Sequence, residues 1–196
     1  MASGRESNPH HHHEVFSAKN AAHLDTPLRR MIYRPERLAE RYVKYRDRVL
    51  DFGCGPGFFS REFAKRVGEI GQVWAVDLQE EMLDILRKKP DPEELMSRIR
   101  THQCMPDSIG LPNELHGTFD AVFTIFVIHE VPDPEKLFRE LFTLMKPDGT
   151  YFYTEPPFIV SGREFRENLA LAEEAGFRQV DRFWYVVNRA AVMRKE

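Results

Sequence analysis

The chain of 196 residues carries 28 lysines and arginines against 31 aspartates and glutamates, a formal net charge of −3, and is 42% hydrophobic. That length and composition suit one α/β domain with a sizeable core and leave little room for a second. The near balance of charge gives no electrostatic reason to expect nonspecific binding to nucleic acid or to an anionic membrane, so neither is an expected partner. The 2 cysteines, Cys54 and Cys104, make neither a disulfide framework nor a zinc spacing, and a reducing, cytoplasmic setting is the simplest reading. No run is long enough for a membrane helix, the most apolar stretch (121–128) being strand-sized, and the first residues lack the order of a signal peptide. Nothing distinguishes a monomer from a homodimer.

Residues 1–20 are polar, carry Pro9 and the run His10, His11, His12 and His13, and are expected to be disordered or partly ordered. The histidine run, whether natural or appended, supplies no defined ligand geometry, and no metal site is expected. Residues 21–46 turn helical in two pieces. Leu24, Leu28, Met31 and Ile32 make one apolar stripe, and Leu38, Tyr42 and Tyr45 another, with a break near Pro35. The arginines among them (Arg29, Arg30, Arg34, Arg37 and Arg41) read either as a solvated helix face with a few ion pairs or as a cover over an active site that meets an acidic substrate.

From residue 47 onward strand and helix patterns alternate. Val49, Leu50 and Phe52 end a short buried strand, then Asp51 precedes Gly53, Gly55 and Gly57, and Phe59, Phe63, Ala64 and Val67 follow at helical spacing. Strand, glycine turn and helix bring bare backbone, without a Cβ, up to a ligand, and the helix points its first N–H groups into the same space. Residues 72–77 are a second strand, 81–88 a helix, 99–103 a third strand and 119–126 a strongly apolar fourth. A helix over 134–145, a turn at 146–149 and a fifth strand over 150–154 follow. Ser161 with Glu164 marks a capping box, Gly176 a helix stop, and 182–187 with 190–193 a hairpin joined at Asn188. The alternation implies a parallel sheet with helices on both faces, and the closing hairpin implies one antiparallel strand.

Ligands of such sheets lie beyond the carboxyl ends of the strands where strand order reverses. Asp77, at the end of the second strand and 20 positions after Gly57, is placed to accept hydrogen bonds from both hydroxyls of a ribose. A nicotinamide dinucleotide would call for G-x-G-x-x-G, but Phe58 and Ser60 stand where the last glycine belongs. The pattern is D-x-G-x-G-x-G, and here the chain resembles the class I S-adenosylmethionine-dependent methyltransferases of the type 11-like kind. DFGCGPG resembles the family's first motif, VWAVDL its ribose-binding strand and DSIGLP (107–112) its adenine-side segment; the run from Phe119 to Pro156 resembles the fourth strand, its helix and the fifth strand.

The resemblance implies a Rossmann-like doubly wound α/β fold of seven strands in the order 3-2-1-4-5-7-6, strand 7 antiparallel, with 47–196 as the methyltransferase domain. It implies S-adenosyl-L-methionine as cofactor. Asp51 and the Gly53-Cys54-Gly55 backbone, with Gly57 completing the loop, would face the methionine portion. Asp77 would hold the ribose, Leu78 would pack on the adenine, and Asp107 or Ser108 would reach its amine. Phe126 would wall the methyl, or else be core. His129 and Glu130 after strand four, and Glu155 after strand five, are the candidate bases, unless His129 and Glu130 merely cap the turn. A small-molecule methyl acceptor is expected. A catalytically silent cofactor-binding protein and a nicotinamide oxidoreductase are the alternatives.

Overall fold

The computed structural model describes residues 16–196, so the histidine run at 10–13 lies outside the described residues. β1 (Arg48–Phe52), β2 (Gln72–Asp77), β3 (Ile99–Gln103), β4 (Phe119–Ile125), β5 (Met145–Glu155), β6 (Phe177–Tyr185) and β7 (Asn188–Lys195) form one sheet in the order β3-β2-β1-β4-β5-β7-β6. Strands β1 to β5 run parallel to one another, and β7 is antiparallel to both β5 and β6. The order reverses between β1 and β4, which opens a crevice at their carboxyl ends.

The period of two along each strand divides the core. Val49 of β1 packs with Leu38 of α2 (Pro35–Tyr42) and Phe63 of α3 (Ser60–Val67), together with Leu83 and Leu86 of α4 (Glu80–Arg87). Leu50 and Phe52 point the other way, to Leu137 and Phe138 of α6 (Pro134–Leu144) and Phe165 of α7 (Gly162–Glu174). Tyr151 and Tyr153 are buried there with their hydroxyls satisfied by Thr124 at 2.7 Å and Asn168 at 3.2 Å. A short α5 (Glu93–Met96), which the sequence pattern does not announce, fills the connection to β3. No helix among the described residues is long and apolar enough to cross a membrane.

Three local differences from the sequence reading have physical causes. β5 begins at Met145 because Met145 still pairs with Phe119, and the intervening residues bulge out before pairing resumes at Ala121 and Thr150, with Asp148 at φ 61°. β6 begins at Phe177, ahead of the apolar run; Arg178, Gln179, Asp181 and Arg182 are exposed on an edge strand that, among the described residues, pairs only with β7. The hairpin turns at Val186 and Val187, and Asn188 opens β7. The Ser161 hydroxyl accepts from the Glu164 N–H at 3.1 Å, and Gly176 follows that helix at φ 111°.

The N-terminal segment holds the largest surprise. A 3₁₀ helix (Ala18–Leu24) precedes α1 (Pro27–Tyr33), and α1 buries no residue: Leu28, Met31 and Ile32 are 62%, 66% and 43% exposed. Of the apolar stripe, only Leu24 is partly buried; the three members on α1 face out. The opposite face docks instead, through Arg30 on Glu62 (2.8 Å) and Asp25 (3.4 Å) and through the Tyr33 carbonyl, which accepts from the Tyr185 hydroxyl.

Candidate active site

A cavity of about 610 Å³ opens at the carboxyl ends of β1, β2 and β4. Its floor is the glycine loop. The Gly53 and Cys54 N–H groups both donate to the Val76 carbonyl (2.8 and 3.0 Å), which folds the loop over β2. Gly53 has φ 72°, and a Cβ there would sit 2.3 Å from Cγ2 of Val127; at Gly57, φ 79°, it would sit 2.2 Å from Cδ1 of Leu86. Both glycines are required by protein packed against them. At Gly55 a Cβ would meet only Leu24, at 3.6 Å, so the space above this residue belongs to the cavity.

Asp77 turns toward the loop. One carboxylate oxygen accepts from the Gly55 N–H (2.8 Å) and the other from the Gln79 N–H (2.9 Å), and each keeps lone pairs for a hydroxyl in the cavity. Burial pushes its pKa above the ordinary carboxylate value, with those backbone donors opposing. Asp51 lies behind the loop, 2% exposed and off the cavity wall, and takes the Ser60 hydroxyl at 2.5 Å. Gly57 likewise does not line the cavity, whereas Gly53, Cys54 and Gly55 do.

On the β3 side the wall includes Leu78, Asp107 and Ser108. The Asp107 side chain is 79% exposed, 3.7 Å from Lys136, at the rim. The Ser108 hydroxyl donates to Glu140 of α6 at 3.3 Å, and the same carboxylate oxygen accepts the Ile109 N–H at 2.7 Å. Glu140 thus fixes the segment that carries Asp107 and Ser108.

The third group stands at the ends of β4 and β5. The Nδ1–H of His129 donates to Glu155 at 2.7 Å, and the other Glu155 oxygen accepts the Ile128 N–H at 2.8 Å. Glu155 is fully buried and off the cavity wall; His129 and Glu130 line it. Burial opposes charge on His129, but Glu155, then Glu130, outweigh it and raise its pKa. Burial raises the Glu155 pKa as well, opposed by His129. Phe126 holds φ 62°, a strained value for a bulky residue, and packs edge-on against Tyr33 with ring centroids 5.4 Å apart. Among the described residues no cluster of three or more metal-ligating side chains forms.

A family model described as a methyltransferase domain matches residues 49–149, half of the chain, from β1 through the turn before β5 pairs again. The chain belongs to the class I S-adenosylmethionine-dependent methyltransferases. A demethylmenaquinone methyltransferase of Lactobacillus johnsonii is 36% identical over 107 residues, covering 55% of this chain and 43% of that protein. A ubiquinone biosynthesis O-methyltransferase of Xanthomonas campestris is 37% identical over 105 residues, covering 54% and 41%. The match therefore spans under half the length of these curated relatives. A SAM-dependent methyltransferase from Aquifex aeolicus, known by crystal structure, superposes with a TM-score of 0.79 at 28% identity, over 91% of this chain and 98% of that one.

The methyltransferase cavity fits S-adenosylmethionine on its own features: the space above Gly55 that a side chain would fill, and a carboxylate on the neighbouring strand with acceptor capacity to spare. Burial drives the Cys54 thiol well above its ordinary pKa and the Cys104 thiol to about 11, so neither cysteine offers a thiolate at neutral pH. Gln79, Glu140 and Val127 shape the site without any local signal in the sequence. Phe16 is a fourth such residue: its carbonyl accepts from the Gln79 amide at 2.7 Å and its N–H donates to Glu130 at 3.2 Å.

Asp51 gives this methyltransferase a pH signature. Burial, opposed by Ser60 and reinforced by the Asp77 charge, pushes its pKa from 3.8 up to about 7. Between those values the native state binds more protons than the unfolded chain, so this group lowers stability as pH rises, by about 1.4 kcal/mol per unit. Asp51→Asn is expected to melt higher than wild type at pH 8, with the gap closing toward pH 5, in parallel thermal scans. A gap independent of pH would mean that Asp51 is ionised in the native protein throughout.

Proposed function

We propose that the chain transfers a methyl group, by direct in-line displacement, onto a small ring-bearing acceptor of the quinol kind, with His129 drawing off the acceptor's proton. The observation that carries this reading is the His129–Glu155 pair beside an aromatic wall, Phe126 and Tyr33, in the same cavity as Asp77. The relatives named for demethylmenaquinone and ubiquinone biosynthesis support a ring-bearing acceptor.

S-adenosylmethionine supplies an already activated methyl on a sulfonium. The protein's part is alignment and exclusion of water, and orientation of this kind lowers barriers by roughly 7–11 kcal/mol. Gly53, Cys54 and Gly55 would border the methionine end, Asp77 the ribose, and Leu78 with Asp107 or Ser108 the adenine, with Asp51 and Gly57 supporting the loop from behind. Glu155 fixes the His129 tautomer by accepting a hydrogen bond from Nδ1–H, which makes Nε2 the basic nitrogen. Glu130, 3.8 Å from Nε2, is the second acid beside His129, and unlike Glu155 it lines the cavity. In this reading residues 21–46 form the cover and 47–196 the methyltransferase domain. The two buried, free cysteines suit a reducing cytoplasm.

The test is release of S-adenosylhomocysteine from the purified protein with S-adenosylmethionine and a panel of hydroquinones, catechols and primary amines. Release is expected with the hydroxylated rings. Release with amines alone, or with none of the rings, would overturn the acceptor class.

A further inference from the structure

Several cations around the glycine loop are matched to acids. Asp25 takes Arg30, Arg61 (2.7 Å) and Lys89 (2.7 Å), Asp91 takes Arg61 (2.6 Å), and Glu62 takes Arg30 and Lys65 (2.8 Å). Arg29 has no carboxylate within ion-pair distance among the described residues, although it lines the cavity and burial draws its pKa down. It is held there all the same. One guanidinium nitrogen donates to the Leu24 carbonyl at 2.8 Å, and the group lies 5.0 Å from the Phe58 ring centroid and 5.5 Å from that of Tyr33. A half-buried cation that feels Asp25 only at a distance, with no acid in contact, is unfavourable unless something in the cavity supplies a closer counter-charge. Its planar fork retains donors beyond the one on Leu24, the arrangement that grips a carboxylate with two parallel hydrogen bonds. Arg29 also lies outside residues 49–149, the stretch matched by the family model.

We propose that Arg29 is a carboxylate receptor of the cavity, carried on α1 and seated on Phe58, the residue that follows the glycine loop. The carboxylate it binds belongs to the amino-acid end of S-adenosylmethionine or to an acidic group on the methyl acceptor. The proposal rests on the adenosyl site described above. It also gives α1 a reason to dock by its arginine face and leave its apolar stripe outside.

The test is calorimetric, with wild type, Arg29→Gln and Arg29→Lys. S-adenosylhomocysteine, which has the amino-acid end, is compared with 5′-methylthioadenosine, which lacks it. Benzoate and its neutral analogue benzamide are titrated into protein saturated with S-adenosylhomocysteine. If the cofactor is the source, Arg29→Gln loses roughly 10- to 100-fold in affinity for S-adenosylhomocysteine, the worth of charge-assisted hydrogen bonds, and Arg29→Lys loses less. Methylthioadenosine then binds all three proteins alike, which also reports that the variants are folded. If the acceptor is the source, S-adenosylhomocysteine binding is unchanged and benzoate binding, absent for benzamide, disappears in Arg29→Gln. Parallel losses for both nucleosides, or no arginine-dependent binding of either carboxylate, would overturn the proposal. A wild type that binds neither nucleoside would remove the adenosyl site itself and the proposal with it.

Discussion

Gly53→Ala is expected to destabilise the protein by about 2–5 kcal/mol and to abolish measurable binding of S-adenosylhomocysteine. The left-handed backbone, φ 72°, costs a residue with a Cβ about 1–2 kcal/mol. The new methyl would also sit 2.3 Å from Cγ2 and 2.6 Å from Cβ of Val127, a stiff branched side chain that cannot swing clear. Overpacking of that kind adds about 1–3 kcal/mol. The displaced Val127 immediately precedes the turn Ile128–Glu130, so the strain is transmitted into the His129 end of the cavity. Gly55→Ala provides the contrast. Its φ of 53° is less demanding and its Cβ meets only Leu24 at 3.6 Å, so stability should fall by about 1 kcal/mol while affinity still drops. Urea unfolding and calorimetry on the two variants measure both quantities, and a Gly53→Ala protein as stable as wild type would show that Val127 does not pack there.

The second large effect is on turnover. His129→Ala should lower kcat by about 10²–10⁴, the usual worth of one positioned base, with the affinity for S-adenosylhomocysteine changed little. Undiminished turnover on an acceptor that wild type methylates would reject the role. The pH profile separates a base from a structural histidine. Glu155 holds the His129 pKa above its ordinary 6.5, so activity should rise with pH along a limb displaced upward from that value. Removing the negative charge in Glu155→Gln should move the limb to lower pH while kcat falls. A structural histidine would produce neither displacement.

The fold was legible because its signals are local and repeated. Each parallel strand is a short apolar run, each helix carries its own stripe, and Pro, Gly and Ser mark most of the joins. The edge strand β6 was legible only in part, because residues 178–182 face solvent and carry no apolar alternation. Asp77 could be read from its spacing behind the glycines, and the structure brings it onto Gly55. The pairing of His129 with Glu155 could not be read. The two residues are 26 positions apart and meet only because β4 and β5 lie side by side. Which face of α1 docks is not legible in the sequence for a similar reason. Periodicity tells which residues share a face, but the acid across the fold that takes Arg30 of α1 is Glu62 of α3, 32 positions away.

That attachment differs in kind from the rest of the molecule. The sheet and its flanking helices cohere through carbon, whereas the N-terminal segment is clasped through Asp25, whose three cationic partners more than offset its burial and keep its carboxyl ionised below the usual range. Strong acid, which protonates Asp25, is therefore expected to loosen this segment before the sheet, whereas salt screens so buried a clasp far less. Two parts of one chain thus answer to different solvents.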